Sequence, residues 1–216
     1  MKKVLVLAAC MLFLMAGVAQ TAYSAILVAG TDYNSIPTTV HGSPGGGSFD
    51  VSTINPGDGV VTLPFVYCVD LVNGIAPAQL GVSLNANVTY DGTIHGGAIT
   101  NAGAIAWLID TYGTSNSANR DQAIALQAAI WHEIDSSYVL NGTSAQNTLY
   151  SNMLTALGSK TAPVSYMRWI SPFGANGAPL QGMAAPVPIP GTLVLLGSGL
   201  AGLVGIGRFR RKRPDK

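Results

Sequence analysis

Cysteine is nearly absent: the 216 residues hold two, Cys10 and Cys68. Cys10 lies in an N-terminal apolar run that reads as a removable export signal. The exported chain then keeps Cys68 alone, which excludes an internal disulfide framework. Histidine is scarce too. His41, His95 and His132 are scattered without the spacing of a metal-ligand set, so neither a metal nor a cofactor is expected. Positive charge is missing from the middle of the chain. Between Ile26 and Ala185 nine acids face three bases, Arg120, Lys160 and Arg168, a balance of −6. A nucleic-acid binder needs a basic footprint on its folded domain, so nucleic acid is excluded as a partner.

The bases sit at the ends. "MKKVLVLAACMLFLMAGVAQTAYSA" has a basic start, an apolar run from Val4 to Ala19, and small residues at possible cleavage points after Ala19, Ser24 or Ala25. This is the grammar of a secretory signal helix, assigned to residues 1–25. "LAAC" at Leu7 to Cys10 imitates a lipoprotein box, but the apolar run continues past the cysteine. At the other end a proline-rich entry leads to an uncharged span, Thr192 to Ile206, and then to a basic cluster. The positive-inside rule keeps that cluster in the cytoplasm and the domain outside. Fifteen residues of helix reach only about 22 Å of a roughly 30 Å hydrocarbon core, which makes a short membrane anchor. "GSGLAG" at Gly197 to Gly202 matches a dinucleotide fingerprint, but with no strand before it its glycines read as helix-packing positions.

Val187, Pro188, Ile189 and Pro190, followed by the Gly/Leu-rich span and the Arg/Lys tail, resemble the PEP-CTERM sorting signals of Gram-negative bacteria. Ile189 stands where that family usually has glutamate. The resemblance covers residues 187–216. It implies an exosortase as partner, anchoring in the inner membrane before processing, and delivery to the cell surface or extracellular matrix afterwards.

"IALQAAIWHEID", Ile124 to Asp135, reads as an amphipathic helix with Ile124, Ala128, Trp131 and Ile134 along one stripe. Gln127 falls inside that stripe. A buried amide with nothing to bond costs about 1–3 kcal/mol, so this one is either partnered or chemically used. "PFVYCVDLV" is an apolar run broken by Asp70, consistent with a buried strand. A lone thiol there is either inert in the core or chemically committed.

Taken together, "YC" on a core strand and "LQAAIW" on a helix are similar to the paired motifs of bacterial surface thioester domains. "AGAIAWLIDTYG", Ala102 to Gly113, resembles the helix and turn that precede the glutamine helix in that family. Leu126 stands where the family commonly has threonine. The resemblance covers about Phe65 to Asp135. It implies a bond between the Cys68 sulfur and the Gln127 side-chain carbonyl, formed with loss of ammonia, with Tyr67, Asp70, Trp131 and His132 around it. It also implies an adhesin rather than a turnover enzyme, whose target is an amine- or hydroxyl-bearing surface or polysaccharide.

The scaffold expected is α+β: a small sheet, barrel-like, with an inserted part of about three helices, between the signal helix and the C-terminal membrane helix. Strands are predicted at Phe49 to Ser52, Val60 to Leu71, and in "GVSLNANVTY", where alternate residues are apolar. Helices follow, the first closed by Gly113, the second opened by Asn119 with Gln122, the third opened by Thr143 with Gln146 and closed by Gly158. "VSYMRWI" reads as a late strand. The domain is expected over 26–170 and a Pro/Gly/Ala-rich linker over 171–186.

Two other chemistries fit parts of the pattern. Cys68 with His95 or His132 and an aspartate could form a cysteine-peptidase or transglutaminase-like site, though no local signature accompanies it. Alternatively Cys68 and Gln127 are unbonded core residues of a passive extracellular matrix protein. Asp70, two residues from Cys68 and on its strand face, either polarises the site or is satisfied by backbone.

Overall fold

The computed structural model describes residues 22–30, 48–50, 52–56 and 59–187. The expected signal helix, the membrane span, and Pro188, Ile189 and Pro190 of the sorting motif lie outside them. Among the described residues no helix is long and apolar enough to cross a membrane.

Among the described residues ten strands and three α-helices occur in separate runs along the chain, as expected of an α+β fold. Eight strands form one curled antiparallel sheet: β1 (Tyr23–Val28), β2 (Ser48–Phe49), β3 (Ser52–Asn55), β4 (Val61–Leu63), β5 (Val66–Cys68), β6 (Ser83–Thr89), β9 (Met167–Phe173) and β10 (Met183–Pro186). Their order is β2-β5-β10-β9-β6-β1-β3-β4, so β2 and β4 are its edges and the barrel stays open. β7 (Thr93–Ile94) and β8 (Gly97–Ala98) make a separate hairpin. Its two loop residues, His95 and Gly96, have φ of 51° and 79°, as a tight hairpin turn with both central residues left-handed requires. The helices α1 (Ala102–Tyr112), α2 (Arg120–Ile134) and α3 (Ser144–Leu157) are inserted between β8 and β9.

The predicted run Val60 to Leu71 is two strands, because Pro64 lacks an N–H and divides β4 from β5. The alternation at 82–90 appears as β6, with Leu84, Ala86 and Val88 buried and Ser83, Asn85 and Asn87 exposed. Helix ends follow the sequence. The Asn119 side chain accepts from Gln122 N at 3.1 Å, and Thr143 and Gln146 bond reciprocally at 3.3 and 3.0 Å. Gly113 ends α1 without a left-handed turn. A Cβ there would strike the Ile109 carbonyl and the Phe65 ring, so the missing side chain makes room for Phe65.

Two expectations are corrected. Residues 171–186 are not a linker: they complete β9 and form β10, which lies between β5 and β9 with Met183, Ala184 and Ala185 fully buried. Their small and proline-rich composition conceals a strand that the sheet surrounds. The domain also starts before Ile26, since Tyr23, Ser24 and Ala25 pair with Val88, Asn87 and Ala86. Within "VSYMRWI", Val164–Tyr166 is a single 3₁₀ turn and the strand begins at Met167.

The core lies between the sheet and the helices. α2 is its axis: Ala123 to Trp131 are buried without a break, so the single apolar stripe read from the sequence is in fact an apolar circumference. Four alanines in that run let β5, α1 and α3 close around the helix.

Candidate functional site

The site is built where α2 passes the end of β5. In an antiparallel ladder successive residues turn their N–H and C=O to opposite edges of the strand. Val69 donates to the Gly182 carbonyl at 2.9 Å, on the β10 side, so the backbone groups of Cys68 face the other way. There β2 pairs with Tyr67 and Val66. At Cys68 the partner is a side chain. Gln127 Oε1 accepts from Cys68 N at 2.8 Å, and Gln127 Nε2 donates to Cys68 O at 2.7 Å. The carboxamide thus takes the place of one residue of a neighbouring strand.

Both residues have zero solvent exposure. With a C=O bond of about 1.23 Å, the Gln127 carbonyl carbon lies within about 4 Å of the Cys68 nitrogen, beside the residue that carries the thiol. Fifty-nine positions separate the pair in sequence. The structure brings them together.

Tyr67 is fully buried. Its hydroxyl donates to Thr114 O at 2.6 Å and accepts from Thr114 N at 3.1 Å, fastening β5 to the chain just beyond α1. Burial pushes the phenol well above the ordinary tyrosine value; the Thr114 bond opposes the shift and the Asp50 charge adds to it. The side chain is therefore a neutral clamp and not a nucleophile.

Asp70 is satisfied by its surroundings. Its Oδ1 accepts from Val72 N and Asn73 N at 2.8 and 3.0 Å, and its Oδ2 from Asn73 Nδ2 and Gly182 N at 2.8 and 3.3 Å. A carboxylate so occupied organises the turn after β5. Gly182 is held against it, where a Cβ would collide with Ile94.

Trp131 is one turn after Gln127 on α2. A long side chain there leans over the preceding turn, which carries Gln127. The ring meets Tyr138 at 5.0 Å and 73°, and the buried indole Nε1 has no hydrogen-bond partner. His132 is five positions from Gln127, about 140° round the helix. Its Nδ1 lies 2.8 Å from Tyr138 O, and since a carbonyl only accepts, Nδ1 carries the proton. His95 is spent similarly, its Nε2 2.7 Å from Leu180 O. Both histidines are engaged by backbone carbonyls, and the cysteine is buried. Each ring therefore spends one nitrogen on a backbone carbonyl and keeps the other as an acceptor.

One clamp was not legible in the sequence. Ser48 Oγ donates to Asn116 Oδ1 at 2.7 Å, and Asn116 Nδ2 donates to Ser48 O at 3.0 Å. A second carboxamide thus holds β2 next to the position where Gln127 takes over the ladder. Nothing in "TSNSAN" marks Asn116 apart from its neighbours, because its partner is 68 positions away. Among the described residues no group of His, Cys, Asp and Glu could hold a metal ion.

Comparison with protein-family models gives no match, and neither does comparison with curated proteins. Among solved structures, the N-terminal thioester domain of a surface protein from Clostridium perfringens is similar with a TM-score of 0.41 and 12% identity, over 75% of this chain and 97% of that one. At that level it is the Cys68–Gln127 geometry, not the likeness, that bears on function.

Proposed function

We propose that the chain is an exported attachment protein whose Cys68 and Gln127 condense to an internal thioester. One observation supports it above the others: the carboxamide of Gln127 is seated on Cys68 itself, with both residues sealed from water. In the condensation the Gln127 C–N bond breaks, a Cys68 S–C bond forms, and the thiol proton leaves with the nitrogen as ammonia. A shielded thioester survives in water yet remains an acyl donor. An incoming amine or hydroxyl takes the acyl group, its proton passes to sulfur, and protein and target are joined. The event happens once per molecule, so the protein acts as an adhesin without turnover.

The ends of the chain complete the proposal. A signal for export, a short membrane span and a PEP-CTERM-like tail would carry the domain through the inner membrane. An exosortase would then release it to the cell surface or matrix.

The passive-matrix alternative has its own supporting observation. The amide as it stands is paired on both its oxygen and its nitrogen, as a core glutamine should be. Intact mass separates the two. Under the proposal the purified protein is lighter by one ammonia, and methylamine adds its full mass to that form as an adduct on Gln127, freeing the Cys68 thiol. Full mass and an adduct-free Gln127 overturn it. An adduct that persists in Cys68→Ala does so too, because a plain carboxamide is too poor an acyl donor to react unaided.

A further inference from the structure

The sheet has a second face, turned away from the core, and it carries two cross-strand rows of uncharged side chains. The pairing of β1, β6 and β9 aligns Ser24, Asn87 and Ser171 in one row. One step along, β3 joins and the row reads Asn55, Ile26, Asn85 and Phe173. Neighbouring side chains within such a row stand about 4.8 Å apart, the spacing of the strands. Above them lie two adjoining hollows of about 620 and 360 Å³, which share Ser24, Asn87 and Phe173 in their walls. Among the described residues neither hollow is lined by Asp, Glu, Lys or Arg, and His95 is the one titratable nitrogen in the walls, although the surrounding domain is strongly acidic.

One end of the trough has unspent hydrogen-bonding capacity. His95 Nε2 gives its proton to the Leu180 carbonyl, which leaves Nδ1 as a bare acceptor. That nitrogen is buried and has no partner. Beside it Ser171 Oγ accepts from His95 N at 2.9 Å and keeps its own hydrogen to donate. The His95 ring stands edge-on to Phe173 at 5.2 Å and 81°, so an aromatic wall adjoins this donor and acceptor. Ile26, an exposed aliphatic side chain, continues the apolar strip into the second hollow.

From this arrangement we infer that the outer face of β1, β6 and β9 is a non-covalent binding trough for a neutral polyhydroxylated chain, a glycan without charged groups. Carboxamides and hydroxyls each offer donors and acceptors, as sugar hydroxyls do. The apolar strip suits the C–H face of a pyranose ring. The described walls offer no Lys or Arg to an anionic glycan and no Asp or Glu to a cationic one, because Arg168 and Asp91 stand behind Tyr23 and Thr93 and bond to them. The inference does not rest on the Cys68–Gln127 bond.

The test is calorimetric titration of the full chain with cellohexaose, maltohexaose, a galacturonic acid hexamer and a glucosamine hexamer. At least one neutral hexamer is expected to bind with a micromolar to millimolar Kd, and the two charged ones not at all. Asn87→Ala and Phe173→Ala are each expected to weaken that binding by about tenfold, while Cys68→Ala leaves it unchanged. Hydrogen exchange on the wild type gives a readout that needs no variant: the neutral hexamer should slow exchange in β6 and β9. No binding by either neutral hexamer, equal binding of a charged one, or binding indifferent to both substitutions would overturn the inference. A chain that lacks the ammonia loss yet binds the neutral hexamer would leave this trough standing and remove only the thioester.

Discussion

Gln127 and Cys68 are unequal partners at the residue scale. The cysteine contributes a sulfur, whereas the glutamine satisfies two backbone groups of the cysteine. Both Cys68→Ala and Gln127→Ala remove any cross-link between β5 and α2. Only Gln127→Ala also strands a buried N–H and a buried C=O. It should therefore be the less stable variant, by about 1–3 kcal/mol, in urea titrations of the two side by side. Equal midpoints with equal slopes would mean that the amide–backbone bonds contribute nothing. Tyr67→Phe, by contrast, touches the clamp to Thr114 and no part of the proposed bond. It should cost about 1–2 kcal/mol and leave methylamine capture intact, measured by mass on the folded protein.

At the scale of elements, β1 constrains where the proposed export signal can end. The six residues Tyr23–Val28 pair with β6 along their whole length. Cleavage after Ser24 or Ala25 would remove the start of that ladder; cleavage after Ala19 leaves it whole. If the proposed signal is removed, N-terminal sequencing of the processed protein is expected to begin at Gln20, and a chain beginning at Ile26 would contradict the strand. The same logic applies at the other end. Because Met183–Pro186 forms a strand between β5 and β9, a truncation before Gly182 should abolish folding, whereas one after Val187 should not. Limited expression trials followed by circular dichroism decide between these outcomes.

For the molecule as a whole, two phenols with raised values, part-buried Tyr23 and buried Tyr67, set an alkaline limit. Tyr23 is pushed from 10.0 up to about 12, chiefly by burial, with the Tyr90 hydrogen bond and charge adding to the shift and Arg168 opposing it. Tyr67 is shifted in the same direction. When the folded value exceeds the unfolded one, the native state holds its proton after the unfolded chain has released it. The stabilisation is then complete below the unfolded value and is lost as pH rises toward the folded one. The unfolding temperature should accordingly be steady through neutral pH and fall between pH 10.0 and about 12. Tyr67→Phe should make that fall shallower. A descent of unchanged steepness in the variant would show that Tyr67 takes no part in it.

Local chemistry carried most of what could be read in advance. Helix caps at Asn119 and Thr143, the alternation in β6 and the burial of Cys68 and Gln127 depend on residues within a turn or two of each other, and periodicity records them. The sequence by itself therefore determined the three helices, the alternating strand β6, the order of these elements, and the presence of an amide on an apolar helix. It could not show what that amide meets. Which backbone group Gln127 bonds, that Asn116 holds Ser48, that Asp70 is spent on its own turn, and that a Gly- and Ala-rich stretch is a strand inside the sheet were decided by tertiary structure alone. The physical reason is common to all four. Backbone donors and acceptors are identical at every residue, so nothing in their chemistry says which one a distant side chain will reach. Only the closed fold, by removing water from all but one partner, makes the choice.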